Sequence, residues 1–273
     1  KKHTVAMTGD GVNDLLAMKQ ADCAVAMASG AQAASQLASL VLLDSDFSAM
    51  PGVVNEGRRV INNIQRAASL FLVKNIFSLF LSIISLFTVW PYPLEPIHLS
   101  VISAMTIGIP SFILTFEPKY DRIKGRFLPE VLRRAFPGGL TNVFVVLLCQ
   151  MFMSVFSLPK EEVSTICAAL LSFVGMLVLY QICKPCNWFR GILWWAMASG
   201  IVLCFTLLGD ILDLRTWTSE VRLVMFTLLV MTPTVFFTIQ RVFDWMDKAR
   251  MAVVARCKRI WSRRPFQKKQ PLA

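Results

Sequence analysis

Residues 8–14 have the sequence Thr8-Gly9-Asp10-Gly11-Val12-Asn13-Asp14, an acidic glycine-rich turn between two regular segments. The residues before it, 3–7, form a short run typical of a β-strand, and residues 15–20 are typical of a helix. Strand, turn and helix in this order are expected at the carboxyl edge of a doubly wound parallel sheet, where such folds hold phosphates and metal ions. We therefore predict an α/β, partly Rossmann-like domain over residues 1–54, with its site at this turn.

The turn offers oxygen ligands for a hard cation. Asp10 and Asp14 lie four positions apart with the amide of Asn13 beside them, and Mg²⁺ takes oxygen ligands while keeping several waters. The glycines let the backbone come close to a bound group. The simpler alternative is an ordinary turn in which Asp10 caps the helix that follows. We favour the metal site, because the whole seven-residue string is far more specific than Gly-Asp-Gly alone.

Beyond about Arg66 the chain consists of apolar runs of roughly 17 to 22 residues, the length that crosses hydrocarbon as a helix. At 55% hydrophobic and 16% charged residues it is too apolar for an ordinary soluble domain. Six runs begin near Ser69, Pro96, Gly138, Val163, Ile192 and Val221 and end near Trp90, Phe116, Leu158, Cys183, Gly209 and Gln240. They predict an all-α membrane bundle of six transmembrane helices over residues 69–240, with a stalk helix at 55–68 and a basic tail at 241–273.

Lysines and arginines are distributed unevenly between the predicted loops. They are frequent before the first run, in the second and fourth connections and after the last run. The first, third and fifth connections contain only Lys160 and Arg215, apart from Arg222 near a helix end. Because short loops rich in lysine and arginine stay in the cytoplasm, both ends of the chain are predicted to be cytoplasmic.

The net charge of +11 would suggest nucleic-acid binding in a soluble protein. Here the charges follow the membrane sides, so we expect membrane lipids and no nucleic acid as partners. The tail can also lie on anionic lipid, or it is a flank without fixed structure. Cys183 and Cys186 form a Cys-x-x-Cys pair, but without a second pair we expect no metal or redox role.

The seven-residue string resembles the hinge motif of P-type ATPases, members of the haloacid-dehalogenase-like (HAD-like) superfamily. The resemblance continues along the cytoplasmic part of the chain. Residues 21–27 look like the family's next strand, residues 39–47 like the segment after it, and residues 56–64 like the stalk helix that enters the membrane. Six membrane helices after the motif are similar to the larger pumps of the family.

The resemblance implies roles for three residues. Asp10 resembles the family's Mg²⁺ ligand, Asp14 the second acidic residue of the metal site, and Asn13 the amide that helps to bind the phosphoryl group. In such pumps an aspartate of a D-K-T-G-T motif accepts the γ-phosphate of ATP. This chain contains no D-K-T-G-T, nor does it match the family's nucleotide-binding domain. The implied partner is therefore a missing N-terminal portion of the same pump, without which the fragment is expected to be inactive.

The transported cation is predicted to bind in the membrane region. Gly108 and Pro110 would loosen the second membrane helix and expose carbonyls, and nearby polar side chains are candidate ligands, namely Asn75, Ser78, Ser103 and Thr106. Their alternative role is hydrogen bonding and packing between helices. Lys74 is interpreted as reaching towards the cytoplasmic face.

The loops resemble bacterial calcium-uptake pumps, which implies Ca²⁺ as a possible cargo and a bacterial plasma membrane as the location. Against Ca²⁺, Ser78 and Ile107 stand where familiar calcium pumps have a glutamate and an aspartate. Two alternatives remain open. One is a lipid or polyamine translocase of the same superfamily, and the other is a non-catalytic membrane protein with a HAD-like cap.

Overall fold

The computed structural model describes residues 3–88, 92–123, 125–156, 159–207, 209 and 219–262. Trp90, Leu158, Arg215 and the end of the predicted tail, residues 263–273, lie outside these ranges. The chain forms two compact units. One comprises the residues up to Asn62 together with Lys119–Ile123, and the other comprises Asn63–Pro118 with the residues after 123.

The first unit contains a three-stranded parallel sheet with the strand order β1-β2-β3. Its elements along the chain are β1 (Ala6–Gly9), α1 (Leu15–Gln20), β2 (Cys23–Met27), α2 (Gln32–Leu37) and β3 (Leu40–Leu42). Each strand is followed by a helix before its parallel neighbour, as parallel pairing requires. The core between sheet and helices consists of one methionine and three alanines, namely Met18 of α1, Ala24 and Ala26 of β2 and Ala34 of α2.

The first strand lies later in the sequence than predicted. Residues 3–7 were expected to form it, but β1 spans Ala6–Gly9. Thr8 pairs with Val25 and Gly9 with Ala26, because β2 continues alongside and offers these residues hydrogen-bonding partners. Thr8 and Gly9 therefore belong to the strand rather than to the turn, and Asp10 is the first residue after it.

Within the described residues, six helices are long and apolar enough to cross a membrane, as the sequence predicted. The first is part of α3 (Met50–Phe87), which runs through the predicted stalk without a break. The second consists of α4 (Pro96–Ser103) and α5 (Ile109–Thr115), and the remaining four are α6 (Phe127–Phe156), α7 (Lys160–Ile182), α8 (Trp188–Leu207) and α9 (Ser219–Ser262).

Two helices extend beyond their predicted bounds. Helix α6 begins at Phe127 rather than near Gly138, so that Pro137 lies inside it. Its first turns contain both a buried apolar residue, Val131, and the charged residues Glu130 and Arg133. A search for uninterrupted apolar runs therefore does not include these turns. Helix α9 continues to Ser262, well past Gln240, because residues 241–262 contain neither glycine nor proline to stop it.

Helix α7 is the centre of the second unit. It contacts α4, α6, α8 and α9, and 72% of its apolar 18-residue stretch is buried inside the structure. Its residues Ile166, Leu170 and Leu179 have no exposed surface. A helix surrounded in this way must be apolar on all sides, which explains why its sequence has no polar face.

The second membrane helix is interrupted in its middle by a π-helical turn, Ala104–Gly108, between α4 and α5. Pro110 has no N–H group to donate to the carbonyl of Thr106, and in a regular helix its ring would clash with that carbonyl. The wider π turn accommodates the missing bond. The loosening that the sequence predicted at Gly108 and Pro110 is present.

Candidate functional site

The three predicted catalytic residues lie directly after β1, and we call them the carboxylate site. Asp10 and Asn13 are exposed, while Asp14 is half-buried. The Asp14 carboxylate is held by the backbone, because Gly11 N donates a hydrogen bond to its Oδ2 at 3.3 Å. Asp10 is therefore the freer of the two carboxylates, and Asp14 is the one with a fixed orientation.

Two glycines allow the carboxylate site to close around the end of β1. A Cβ atom on Gly9 would lie 2.6 Å from Asp14 Cβ, and one on Gly30 would lie 2.4 Å from Asp10 O. Gly30 belongs to the loop after β2, where the next residue, Ala31, donates its N–H to Asp10 O at 2.7 Å. Gly30 is not among the residues predicted from the sequence. The available signal was a glycine three residues after the second predicted strand.

The loops after β2 and β3 are joined at the same edge of the sheet. Ser29 N donates to Ser45 Oγ at 2.9 Å, and Ala28 N donates to Leu42 O at 3.0 Å. Ser45 has a positive φ of 50°, a strained conformation for a residue with a side chain. This edge is therefore built by all three strand ends, as expected for the site of a parallel sheet.

The carboxylate site fits Mg²⁺ and does not fit a metal cage built entirely of protein ligands. Within the described ranges no group of three or more histidine, cysteine, aspartate or glutamate side chains is placed to hold a metal. Mg²⁺ is usually held by one or two carboxylates, several waters and the substrate's phosphate oxygens. An exposed Asp10 beside an oriented Asp14 offers that donor set.

The second unit contains a partly open cavity of about 40 Å³ between its helices, here called the membrane cavity. Its polar lining residues are Lys74, Ser103, Thr106 and Asn142, and the rest of the wall is apolar apart from Gly175. The close approach of α7 needs that glycine, because a Cβ on Gly175 would lie 2.7 Å from Thr106 Cγ2. The cavity therefore lies beside the π turn.

The structure separates the four predicted ligands of the transported cation. Ser103 and Thr106 line the membrane cavity, whereas Asn75 and Ser78 do not. Asn75 is exposed and Ser78 is half-buried on α3. Asn142 of α6 was missed, since a single amide in an apolar run gives no signal of its partners. Lys74 also lines the cavity, and the interpretation that its ammonium reaches the cytoplasmic face stays a prediction.

The chain is similar in sequence to several cation pumps, although no family model matches it. It is 36% identical over 245 residues to the probable cation-transporting ATPase exp7 of Streptococcus pneumoniae, covering 86% of the chain. It is 40% identical over 220 residues to the calcium-transporting ATPase CtpE of Mycolicibacterium smegmatis, covering 75% of the chain. A P-type sodium-transporting ATPase of Plasmodium falciparum is 31% identical over 194 residues.

The chain therefore belongs to the P-type cation-transporting ATPases. It spans 31% of the length of the Streptococcus relative and 28% of the Mycolicibacterium one. Together with its six apolar helices, this relationship identifies it as part of a multi-pass membrane protein.

Proposed function

We propose that the chain is the C-terminal part of an ATP-driven P-type pump that moves a cation across the membrane through an aspartyl-phosphate intermediate. The phosphorylated aspartate lies outside this sequence, which contains no D-K-T-G-T. In this proposal the first unit is the end of a HAD-like phosphorylation domain. The observation that supports it best is the carboxylate site, with its exposed Asp10 and oriented Asp14, in a chain that also carries six membrane helices.

In this proposal each residue of the carboxylate site has a separate role in phosphoryl transfer. Mg²⁺, when bound, offsets the negative charge that develops on the transferring phosphoryl oxygens. Asp10 binds the metal directly, since its carboxylate is exposed at the end of β1. Asp14, whose carboxylate accepts a hydrogen bond from Gly11 N, would be the second acidic residue that organises the metal site. The exposed amide of Asn13 donates to a phosphoryl oxygen, so that the chain contributes positioning and charge but no nucleophile.

The cargo is proposed to be a metal cation, with Ca²⁺ the first to test. Relatives that are 40% identical over 220 residues carry the name calcium-transporting ATPase, whereas a sodium-transporting relative reaches 40% identity over only 120 residues. Ser103 and Thr106 line the membrane cavity, and their oxygens are ligands suited to a hard cation. Ser78 and Ile107, in place of the two acidic residues of familiar calcium pumps, argue for a site of lower charge than those pumps have.

The proposed location is a bacterial plasma membrane, with both ends of this chain in the cytoplasm. The support is the lysine and arginine asymmetry of the loops. ATP and the phosphorylated aspartate then act on the same side as the carboxylate site, which the proposed mechanism requires.

The decisive experiment changes Asp10 to asparagine in the full-length pump. Asp10→Asn keeps the size of the side chain and removes its charge, so phosphoenzyme formation from labelled ATP should fall by orders of magnitude. Asp14→Asn should also impair it, and the two effects should not add because both act on one metal site. Phosphoenzyme formation with an unchanged Mg²⁺ dependence in Asp10→Asn would refute the assignment.

Asp22→Asn is the matched control for this experiment. Asp22 is exposed just before β2, at the opposite end of the sheet, and its carboxylate accepts a hydrogen bond from Val5 N at 2.9 Å. An asparagine oxygen can still accept that bond, so activity should be retained. The 273-residue chain alone is a second control, since without the phosphate acceptor it should form no acid-stable phosphoenzyme.

A further inference from the structure

His98 is a buried histidine in the first turn of the second membrane helix, with 3% of its surface exposed. Its Nδ1 accepts a hydrogen bond from the backbone N–H of Glu95 at 3.4 Å. Glu95 directly precedes α4, and its carboxylate accepts the backbone N–H of His98 in return. This reciprocal arrangement is a capping box, which satisfies N–H groups that a helix start leaves unpaired. An ionisable ring therefore holds the beginning of α4.

The same ring atom joins α4 to α7. Ser164 of α7 is 7% exposed, and its Oγ lies 3.2 Å from His98 Nδ1. Because the N–H of Glu95 can only donate, Nδ1 must carry a lone pair and the ring proton must be on Nε2. The neutral ring shares that lone pair between the Glu95 N–H and the Ser164 hydroxyl. We call Glu95, His98 and Ser164 the outer clasp, since it lies at the end of α4 that is predicted to be extracytoplasmic.

A proton on Nδ1 would remove the acceptor of the outer clasp. Imidazole is the side chain that changes charge between pH 5 and pH 8. The Ser164 hydroxyl can turn and accept from the new ring N–H, but the backbone N–H of Glu95 cannot, so two donors would face each other. The imidazolium must then turn away from Glu95, and α4 loses one of the two hydrogen bonds of its capping box. Acid therefore opens the clasp.

Other ionisable side chains lie near the ends of these helices. They are Tyr92 and Glu95 before α4, Lys160, Glu161 and Glu162 in the first turn of α7, and Arg222 in the first turn of α9. Residues 75–87 of α3 include no charged side chain, and α6 and α7 contribute the buried thiols of Cys149 and Cys167. Glu95 is exposed, so water lies one helical turn from His98. A proton can therefore reach the ring from the extracytoplasmic side.

The outer clasp is connected directly to the wall of the membrane cavity. Leu99, Ile102 and Ser103 of α4 line that cavity, and Leu99 follows His98 in the sequence. Leu99 N also donates to Glu95 O at 3.3 Å, which is the first hydrogen bond of the helix. Helix α4 is only eight residues long and ends at the π turn. A change in its first turn therefore shifts the residues that line the cavity.

We infer that the outer clasp is a proton-operated latch on the extracytoplasmic end of α4. With the His98 ring neutral the clasp is closed and retains the transported cation, and with the ring protonated it opens and weakens cation binding from that side. The proton comes from extracytoplasmic water, binds to Nδ1 and returns to water when the pH rises, and no other covalent bond forms or breaks. The effect on the cation rests on the proposed function of cation transport, whereas the opening of the clasp does not.

The first test measures the opening of the clasp without transport. Hydrogen exchange in a peptide that contains residues 95–103 is followed in the full-length pump at about pH 5.5 and pH 8, and corrected for the intrinsic pH dependence of exchange. The corrected exchange should be roughly threefold to tenfold faster at pH 5.5, the effect of one net hydrogen bond. His98→Gln should show no such difference, because glutamine is a natural residue at this position of a capping box and does not titrate.

The second test measures cation binding from the extracytoplasmic side. The full-length pump is placed in lipid vesicles with its ATP site outside, and the phosphoenzyme level is measured against internal Ca²⁺, Na⁺ and K⁺ in turn. When the internal pH falls from 8 to 5.5 at constant external pH, the half-maximal internal cation concentration should rise roughly threefold to tenfold. It should not change in His98→Gln. His3→Asn is the matched control, since His3, the chain's other histidine, is exposed in the first unit and its replacement should leave the pH dependence intact.

These outcomes separate the latch from the proposed function. A clasp that opens in acid, in a pump whose phosphoenzyme responds to none of the three cations, would overturn cation transport. A phosphoenzyme that responds to internal cation with the same pH dependence in the wild type and in His98→Gln would overturn the latch alone. So would corrected exchange at the start of α4 that does not depend on pH. If His98→Gln does not fold, His98→Asn, whose amide oxygen also accepts a hydrogen bond without titrating, takes its place in both measurements.

Discussion

Arg190 holds the Glu117 carboxylate through both of its oxygens, with Nε at 2.9 Å from Oε1 and 2.8 Å from Oε2. Arg66 contacts the same carboxylate, its Nη1 lying 3.3 Å from Oε2. The side chains of Arg66 and Arg190 are 4% and 8% exposed, and that of Glu117 is 13% exposed. One carboxylate therefore compensates two buried guanidinium groups contributed by α3 and α8.

Removing the charge of Glu117 should destabilise the protein strongly. Glu117→Gln leaves two buried arginines without a counter-charge, and breaking a buried pair in this way typically costs about 3–5 kcal/mol. The cost should be at the high end, because Arg66 Nε and Nη2 are buried without hydrogen-bond partners in the described part of the chain. Thermal unfolding of the purified full-length pump in detergent measures the loss.

Glu56→Gln is the matched control for Glu117→Gln. Glu56 pairs with Arg59 at 3.3 Å, but their side chains are 55% and 40% exposed. Exposed pairs contribute roughly 0–1 kcal/mol, so the melting temperature should hardly change. If the melting temperature fell equally in the two variants, the ion pair of Glu117 would be no more stabilising than an ion pair at the surface.

The Cys-x-x-Cys pair should consist of one reactive and one inert thiol. Burial raises the pKa of the Cys183 thiol to about 11, against the opposing effect of the nearby Arg190, whereas Cys186 is exposed. A thiol with a raised pKa is almost fully protonated at pH 8 and therefore a poor nucleophile. In a background without other cysteines, Cys186 should react readily with maleimide at pH 8, whereas Cys183, which is also buried, should react far more slowly. Equal labelling rates at pH 8 would contradict this.

The sequence predicted the elements whose signal is local. The six membrane helices follow from run length and the carboxylate site from a contiguous string, and the structure contains both the helices and a strand that ends immediately before Asp10. Contacts between distant residues gave no such signal. Arg66 and Arg190 were counted only as cytoplasmic charges, because the sequence does not reveal that Glu117, 51 and 73 positions away, lies between them. Lys74 and Asn142 share a cavity for the same kind of reason.

The predicted orientation can be tested at the two ends of a single helix. Arg126 and Lys160 are both exposed, and α6, with its 30 residues, lies between them. A helix of that length is roughly 45 Å long, enough to cross a bilayer. In a background without other cysteines, Arg126→Cys should be labelled from the cytoplasmic side and Lys160→Cys from the outside. Labelling of both from one side would refute the six-helix topology.

Gly30→Ala should damage the carboxylate site without touching any of its side chains. The new Cβ would lie 2.4 Å from Asp10 O and 2.9 Å from Asp10 Cα, and these are backbone atoms that cannot swing aside as a side chain would. The loop or Asp10 must move, which changes the position of the Asp10 carboxylate relative to Asp14. A displacement of about 1 Å at a reacting centre can cost roughly 100-fold in rate. The rate of phosphoenzyme formation by the full-length pump should therefore fall roughly tenfold to a hundredfold.

Gly57→Ala separates this effect from a general effect of the substitution. Gly57 lies within α3, and a Cβ there would meet no atom within 4 Å. Alanine is favoured over glycine inside a helix by roughly 0.5–1 kcal/mol, so Gly57→Ala should keep its activity and melt no earlier than the wild type. Gly30→Ala should also need more Mg²⁺ for half-maximal phosphorylation, because the displaced carboxylate of Asp10 is the proposed metal ligand. If Gly30→Ala retains the wild-type rate and Mg²⁺ dependence, the close packing of this loop on Asp10 has no role in the site.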